Sequence, residues 1–351
     1  MKLRVPVPST IRKLRSYYAP IEGRAGKLRL DFNENTVGCA PAVLRAIRNL
    51  TSEQLAMYPE VQAPTARLAR WYGVKTSELM LTNGADGGLR QIVDTFVERR
   101  SAVLLVEPTF VMYRFNLEMA GAKIQSLSYD DKMKFPLENV MRALKQAPRL
   151  FFLANPNNPT GTLVERPVIR RMLESAPRTL FVVDEAYFDF SGVTVLPWIR
   201  RYPNLIVVRT FSKAPGLAGL RMGCLFAGPE VMGLLARTRE PFPVNVAALV
   251  AAEATVRNHG EVRAYAAEIA RARDLVSEAL TGLGVKVYPS ATNFLLVDFG
   301  ARAPRILRLL EKRKVLLRDR ISDFGRTGFV RVTIGTRPQM RRLIRLLEQM
   351  L

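Results

Sequence analysis

What most constrains this chain is a series of short apolar runs, 79–82, 102–106, 122–127, 150–154, 179–183, 205–210 and 222–227, separated by stretches of helical periodicity. A strand with one wet face alternates apolar and polar residues, whereas a continuously apolar run marks a strand covered on both faces. Covering both faces takes helices on either side of a mostly parallel sheet, so the class is α/β. From Pro41, the positions Val43, Leu44, Ile47 and Leu50 recur at helical spacing, and a helix over 64–72 is expected to face inward with Leu68 and Trp71. Pro241 and Pro243 break the pattern; helices over about 245–257 and 261–283 follow, the second a long connector. Segments 286–288, 293–298, 314–317 and 328–334 read as strands of a smaller α+β domain closed by a helix over 338–350. The expected organisation is an arm over 1–40 that joins the smaller domain, a large domain over 41–244 and a small domain over 245–351.

Composition narrows the function classes. At 351 residues, 48% hydrophobic and 24% charged, the chain suits a two-domain globular enzyme. It has no apolar run of the roughly 18 residues that a membrane span needs. The basic, proline-bearing start lacks an apolar signal core, and Cys39 and Cys224 lack disulfide or metal spacing, so a cytoplasmic protein with reduced thiols is expected. A single histidine, His259, read as a surface residue at a helix end, argues against histidine-based triads and most zinc sites. The net charge of +22 raises the question of nucleic acid, but the cations are spread over the chain without a long basic block, which favours solvated faces and a small anionic substrate.

The chemistry-bearing residues gather where apolar runs end. Asn155-Pro156-Asn157-Asn158-Pro159-Thr160-Gly161 follows one run, Asp184-Glu185-Ala186-Tyr187 the next, and Thr210-Phe211-Ser212-Lys213 the one after, with Arg221 beyond it. This combination suits pyridoxal 5'-phosphate, whose aldehyde needs a lysine amine, whose ring nitrogen needs a carboxylate, whose phenolic oxygen needs neutral donors and whose phosphate needs a cation with amide or hydroxyl donors. The strand 79–82 runs into Asn83-Gly84 and a helix over 88–96, so Ala85 and Asp86 would present helix N-terminal amides to a phosphate.

These segments, with Asn33-Glu34-Asn35, Tyr58-Pro59-Glu60, Asn83-Gly84-Ala85-Asp86, Pro108-Thr109-Phe110 and Tyr113, the run 212–223 and Arg331-Val332-Thr333-Ile334-Gly335-Thr336, resemble the class I and II aminotransferases of the fold-type I pyridoxal phosphate enzymes. Within that family they look most like the histidinol-phosphate aminotransferases. The resemblance implies that Lys213 forms the Schiff base and carries the proton, that Asp184 pairs with the ring nitrogen, and that Asn158 and Tyr187 face the phenolic oxygen. Phe110 would stack on the ring, and Ala85, Asp86, Ser212 and Arg221 would hold the phosphate. Tyr58 would reach the phosphate of a second subunit, making a homodimer. Arg331 and Arg318 would grip the substrate's anionic group, with Asn33 at the substrate mouth. Asn155 and Asn157 would hold the turn, and Glu185 would face away as a structural residue. The implied reaction exchanges an amino group between glutamate and a keto compound such as imidazole-acetol phosphate. An aromatic amino acid aminotransferase and a decarboxylase of a phosphorylated amino acid carry nearly the same motifs, and a nucleic-acid-binding regulator that keeps the fold is the alternative from another class. Thr36-Val37-Gly38, where the family usually has a proline, and Gly87, where an acid is common, depart from the pattern.

Overall fold

The computed structural model describes residues 5–14 and 21–351, so parts of the arm expected over 1–40 lie outside the described residues. Its strands in chain order are β1 (Leu28–Leu30), β2 (Leu79–Asn83), β3 (Ala102–Glu107), β4 (Lys123–Ser128), β5 (Leu150–Ala154), β6 (Leu180–Asp184), β7 (Leu205–Thr210), β8 (Met222–Ala227), β9 (Lys286–Val287), β10 (Phe294–Asp298), β11 (Val315–Asp319) and β12 (Phe329–Thr333).

Seven strands make one sheet in the order β2-β8-β7-β6-β5-β3-β4. The four pairings from β7 to β4 are parallel, while β8 runs antiparallel to both β2 and β7. The reversal follows from the connection, since residues 211–221 fall short of the roughly dozen residues and helix that a parallel crossover requires. Successive residues within a strand enter opposite cores. Phe151, Val183 and Val207 pack on one side of the sheet, and Phe152, Val182 and Val208 on the other. This is why the runs are apolar throughout rather than alternating.

A second sheet has the order β1-β11-β12-β10-β9. β1, inside the stretch read as an arm without periodicity, pairs in parallel with β11, and the other pairings are antiparallel. Three residues are too few for a pattern to show in sequence. Leu30 joins a core of Ile269, Val276, Leu295, Val297, Ile306, Val330 and Leu343. The helix Val246–Arg257, beyond the boundary drawn at 245, instead buries Ala248, Leu249 and Ala252 in a core of the first sheet, and the long helix His259–Gly282 is the first to join the second core.

Two local readings change. The helix after β2 begins at Gly84 rather than 88, because Gly84 takes the left-handed φ of 66° that turns the chain straight from strand into helix. His259 is not a surface residue; its side chain is 22% exposed, 3.7 Å from Asp189, and its ring lies 4.8 Å from that of Trp71, which is itself 37% exposed rather than core.

Candidate active site

Parallel strands deliver their carboxyl ends to one edge, so the segments after β5, at the end of β6 and after β7 converge there. Across from them stand β11 and β12 of the second sheet. Between them lies a cavity of about 440 Å³, lined by every candidate named from the sequence except Tyr58.

Asp184 is the last residue of β6 and is 5% exposed. Its Oδ2 accepts a 2.7 Å hydrogen bond from the Tyr113 hydroxyl and its Oδ1 a 3.0 Å bond from the Ala186 N–H. Neutral donors do not offset the cost of burying a charge, so desolvation pushes its pKa up to about 6 against the pull of both bonds. Tyr113 was noted in sequence only as part of a flanking motif. It is fully buried and stacked on Phe152 at 4.7 Å, a position reached from the helix Val111–Ala120.

Lys213 follows β7, and its Nζ donates to the Phe32 carbonyl at 3.2 Å. Desolvation, followed by repulsion from Arg331, lowers its pKa to about 8. An amine so placed loses its proton far more readily than a surface lysine. Tyr187 is buried, and its hydroxyl accepts from Asn33 Nδ2 at 2.8 Å, leaving its own O–H to donate. Asn33 takes a left-handed φ of 57°, a conformation asparagine tolerates, and is itself held by Thr333 of β12.

The loop after β5 is pinned by its amides, as the turn reading required. Asn155 exchanges two hydrogen bonds with the Val164 backbone, and Asn157 bonds Thr109, Thr160 and the Pro108 carbonyl. Asn158 Oδ1 accepts from Arg331 Nη1 at 2.6 Å, an acceptor role unforeseen in sequence that turns its amide N–H groups toward other partners. Glu185 points away from the cavity and forms a buried pair with Arg209 at 2.8 Å while accepting from Val195 N–H and Thr194.

At the opposite end, Ala85 and Asp86 lie in the first turn of the helix Gly84–Phe96, whose N-cap Asn83 supplies no side-chain bond. Arg221, with a left-handed φ of 56°, lies against Gly84, where a Cβ would come within 2.6 Å of its Nη2; that nitrogen also pairs with Asp86 Oδ2 at 2.8 Å. Ser212 Oγ accepts from Thr210 Oγ1 at 3.0 Å. Phe110 caps the helix that carries Tyr113, its ring edge-on to that of Tyr113.

The second sheet supplies the cations. Arg318 and Arg331 are direct cross-strand partners of β11 and β12, so they share one face and both line the cavity. Arg331 is 5% exposed and donates to the Asp31 carbonyl at 2.6 Å, and burial together with Arg320 lowers its pKa to about 10. Its Nε is buried without a hydrogen-bond partner among the described residues. Arg320, two residues on from Arg318, also lines the cavity and was not singled out in sequence. Tyr58 stands apart. It is 75% exposed and stacked on Phe242 at 3.9 Å, with Leu55 and Met57 also exposed.

A strand-end carboxylate, a lysine, a helix N-terminus and a face of arginines within one cavity agree with the class: the chain belongs to the class I and II aminotransferases, whose family model matches residues 25–347. It is an aminotransferase with the fold-type I architecture. Several of its relatives are named for one substrate. Histidinol-phosphate aminotransferase 1 of Carboxydothermus hydrogenoformans is 34% identical over 93% of each chain. The crystal structure of histidinol-phosphate aminotransferase from Sinorhizobium meliloti in complex with pyridoxal-5'-phosphate superposes with a TM-score of 0.88 at 26% identity, covering 98% of this chain and 97% of that one. The structure of L-threonine-O-3-phosphate decarboxylase from Porphyromonas gingivalis is also similar, with a TM-score of 0.79 at 26% identity, covering 92% and 98%.

Proposed function

We propose that this aminotransferase exchanges an amino group between glutamate and imidazole-acetol phosphate, forming histidinol phosphate in histidine biosynthesis, and that pyridoxal 5'-phosphate is held in the cavity by the residues above. The observation that carries the reading is the pairing of Arg318 with Arg331 across β11 and β12, facing the cavity that Lys213 and Asp184 also line. The donor set fits the cofactor. Asp184 is a buried carboxylate held only partly by neutral donors, Lys213 is an amine with a lowered pKa, and Gly84 leaves room for Arg221 where any side chain would collide.

When bound, pyridoxal 5'-phosphate supplies an aldehyde that takes up the amino group and a ring that withdraws electrons from the substrate's α-carbon. Asp184 keeps the proton on the ring nitrogen, and Tyr113 holds Asp184 for that task. Asn158 and Tyr187 offer neutral donors to the phenolic oxygen, Phe110 covers the ring face, and Ala85, Asp86, Ser212 and Arg221 hold the phosphate through amides, hydroxyl and guanidinium. Lys213 Nζ moves the proton at the substrate α-carbon, which its lowered pKa favours near neutral pH. Arg331 and Arg318 orient each amino-group partner by its anionic end, and Asn33 bounds the mouth.

The exposed run Leu55, Met57 and Tyr58 with Phe242 supports a homodimer in which Tyr58 reaches the neighbouring site. Two free thiols, Cys39 and Cys224, support a cytoplasmic enzyme, and no helix among the described residues is long and apolar enough to cross a membrane. We divide the chain near residue 258, where the helices change from one core to the other. The decisive experiment is a panel of amino donors with 2-oxoglutarate as acceptor, in which histidinol phosphate should exceed phenylalanine and tyrosine in kcat/KM. Rejection of histidinol phosphate would remove the substrate assignment. Likeness to the P. gingivalis decarboxylase favours a second reading, decarboxylation of a phosphorylated amino acid, which release of carbon dioxide from O-phosphothreonine would reveal.

A further inference from the structure

The arginine face contains more than the two cations that β-strand pairing puts opposite each other. Arg320 lies just past the end of β11, where it caps the helical turn Ile321–Phe324 while its backbone N–H still bonds the Phe329 carbonyl of β12, and it too lines the cavity. It forms an ion pair at 2.5 Å with Asp323, carried on the single helical turn Ile321–Phe324 that links β11 to β12. Both side chains are largely buried, at 11% and 13% exposure, so this is not a solvent-screened surface pair. Asp323 feels Arg320, Arg331 and Arg318 together; desolvation nevertheless raises its pKa. Arg331 in turn is pushed down by Arg320 and Arg318 and supported by Asp323. Within this group, three guanidinium groups against one carboxylate leave a surplus of two positive charges, and the buried Arg331 Nε has a donor to spare.

We propose that Arg320, carried by Asp323, is the third cation of the anion seat and sets its preference for a doubly charged head group over a singly charged one. The inference rests on the reading above, in which one seat serves a phosphomonoester in one half-reaction and the side-chain carboxylate of glutamate in the other. With a carboxylate in the seat, Arg318 and Arg331 hold the single charge between them while Asp323 keeps Arg320 neutralised. With a phosphate dianion, the second negative charge draws on Arg320 as well. Asp323 thereby offsets Arg320 while a carboxylate occupies the seat, which leaves one positive charge in excess, whereas a phosphate dianion balances the group in full, and the preference for the dianion follows.

The test uses holoenzyme carrying Arg320→Gln or Arg320→Lys, with the two half-reactions followed separately. Arg320→Gln should lower kcat/KM for histidinol phosphate about 10- to 100-fold and for glutamate only about 2- to 5-fold, since the lost contact is charge-assisted and used mainly by the dianion. Arg320→Lys, which keeps the charge but loses the fork, should fall between wild type and Arg320→Gln in the ratio of the two efficiencies. Equal losses for both substrates, or none, would overturn the proposal; if the glutamine variant does not fold, a lysine variant with the wild-type ratio overturns it instead. Propyl phosphate and butyrate, as competitors against glutamate, separate this inference from the substrate assignment. A wild type that rejects histidinol phosphate, yet loses inhibition by propyl phosphate more than by butyrate on Arg320→Gln, would retain the third cation and lose only the named substrate.

Discussion

Asp184 and Arg331 are buried charged side chains facing one cavity from two different sheets, and they arrive there by different means. Asp184 is the last residue of a strand covered on both faces, so its place follows from where an apolar run stops. Arg331 lies in the middle of β12, and its place follows from register, because pairing opposite Arg318 puts both on the cavity face and a slip of β12 by one residue would turn Arg331 away. On the proposed function, the large sheet presents its reactive groups from strand ends and the loops after them, while the small sheet presents a recognition surface from strand faces. The two sheets pack on different hydrophobic cores, and hydrogen bonds such as Arg331 to Asn158 and Asn33 to Tyr187 join them at the cavity.

The sharpest way to break this comparison is at Lys213. Lys213→Ala should lower turnover by about three orders of magnitude or more with cofactor still bindable, as expected when one group is both nucleophile and proton carrier. In the native protein, borohydride reduction should fix the cofactor on this lysine, and recovery of the label on another would refute its role. Next in size comes Asp184→Ala, for which a loss of about 100-fold or more in kcat is expected, with Asp184→Glu retaining more because a negative charge stays near the ring nitrogen. Near-normal rates in the alanine variant would show that the strand-end carboxylate is not part of the chemistry.

On the small-sheet side, Arg331→Gln should raise KM for glutamate and for the phosphorylated substrate together by about ten- to a hundred-fold, the worth of a charge-assisted contact of about 1.5–3 kcal/mol. A fall in kcat with KM unmoved would mean that Arg331 acts on the chemistry and would erase the division between the two sheets. Tyr113→Phe removes one donor from Asp184 and should cost about tenfold or less in kcat, with weaker cofactor retention; Michaelis constants that rose while cofactor affinity stayed intact would argue against a positioning role.

The smallest effect concerns stability of the cofactor-free protein. Asp184 has a folded pKa of about 6, raised above its ordinary value, so its contribution is full at low pH and is lost as pH rises toward and through 6. Lys213 is depressed to about 8, so its contribution is full above its ordinary value and is lost as pH falls toward and through 8. Together they place a trough in stability between about pH 6 and 8, which cofactor should fill. Asp184→Asn should therefore raise the Tm of the cofactor-free protein at pH 7 by a few degrees, and thermal melts from pH 4 to 10 would expose a flat profile if the two groups are not strained.

Much of this was legible from the chain alone. Continuous apolar runs specify strands covered on both faces, and the residues that end those runs must emerge at the edge of a parallel sheet, so Asn158, Asp184, Ser212 and Lys213 could be grouped without coordinates. Pro and Asn set the turn after β5, and Asn155 and Asn157 hold it as their type requires. What only the tertiary structure decided depends on contacts between segments distant in sequence. β1 is too short to show a period and is a strand only because β11 lies beside it. Tyr113 reads as an ordinary helical aromatic until the helix docks and brings its hydroxyl to a carboxylate on β6. Arg320 is one of many arginines in the sequence and acquires meaning only when the register of β11 on β12 puts it beside Arg318, Arg331 and Asp323. Local patterning carries the direction in which a side chain points along its own strand or helix; which other side chains it then meets is a property of packing, and packing is decided by the whole chain at once.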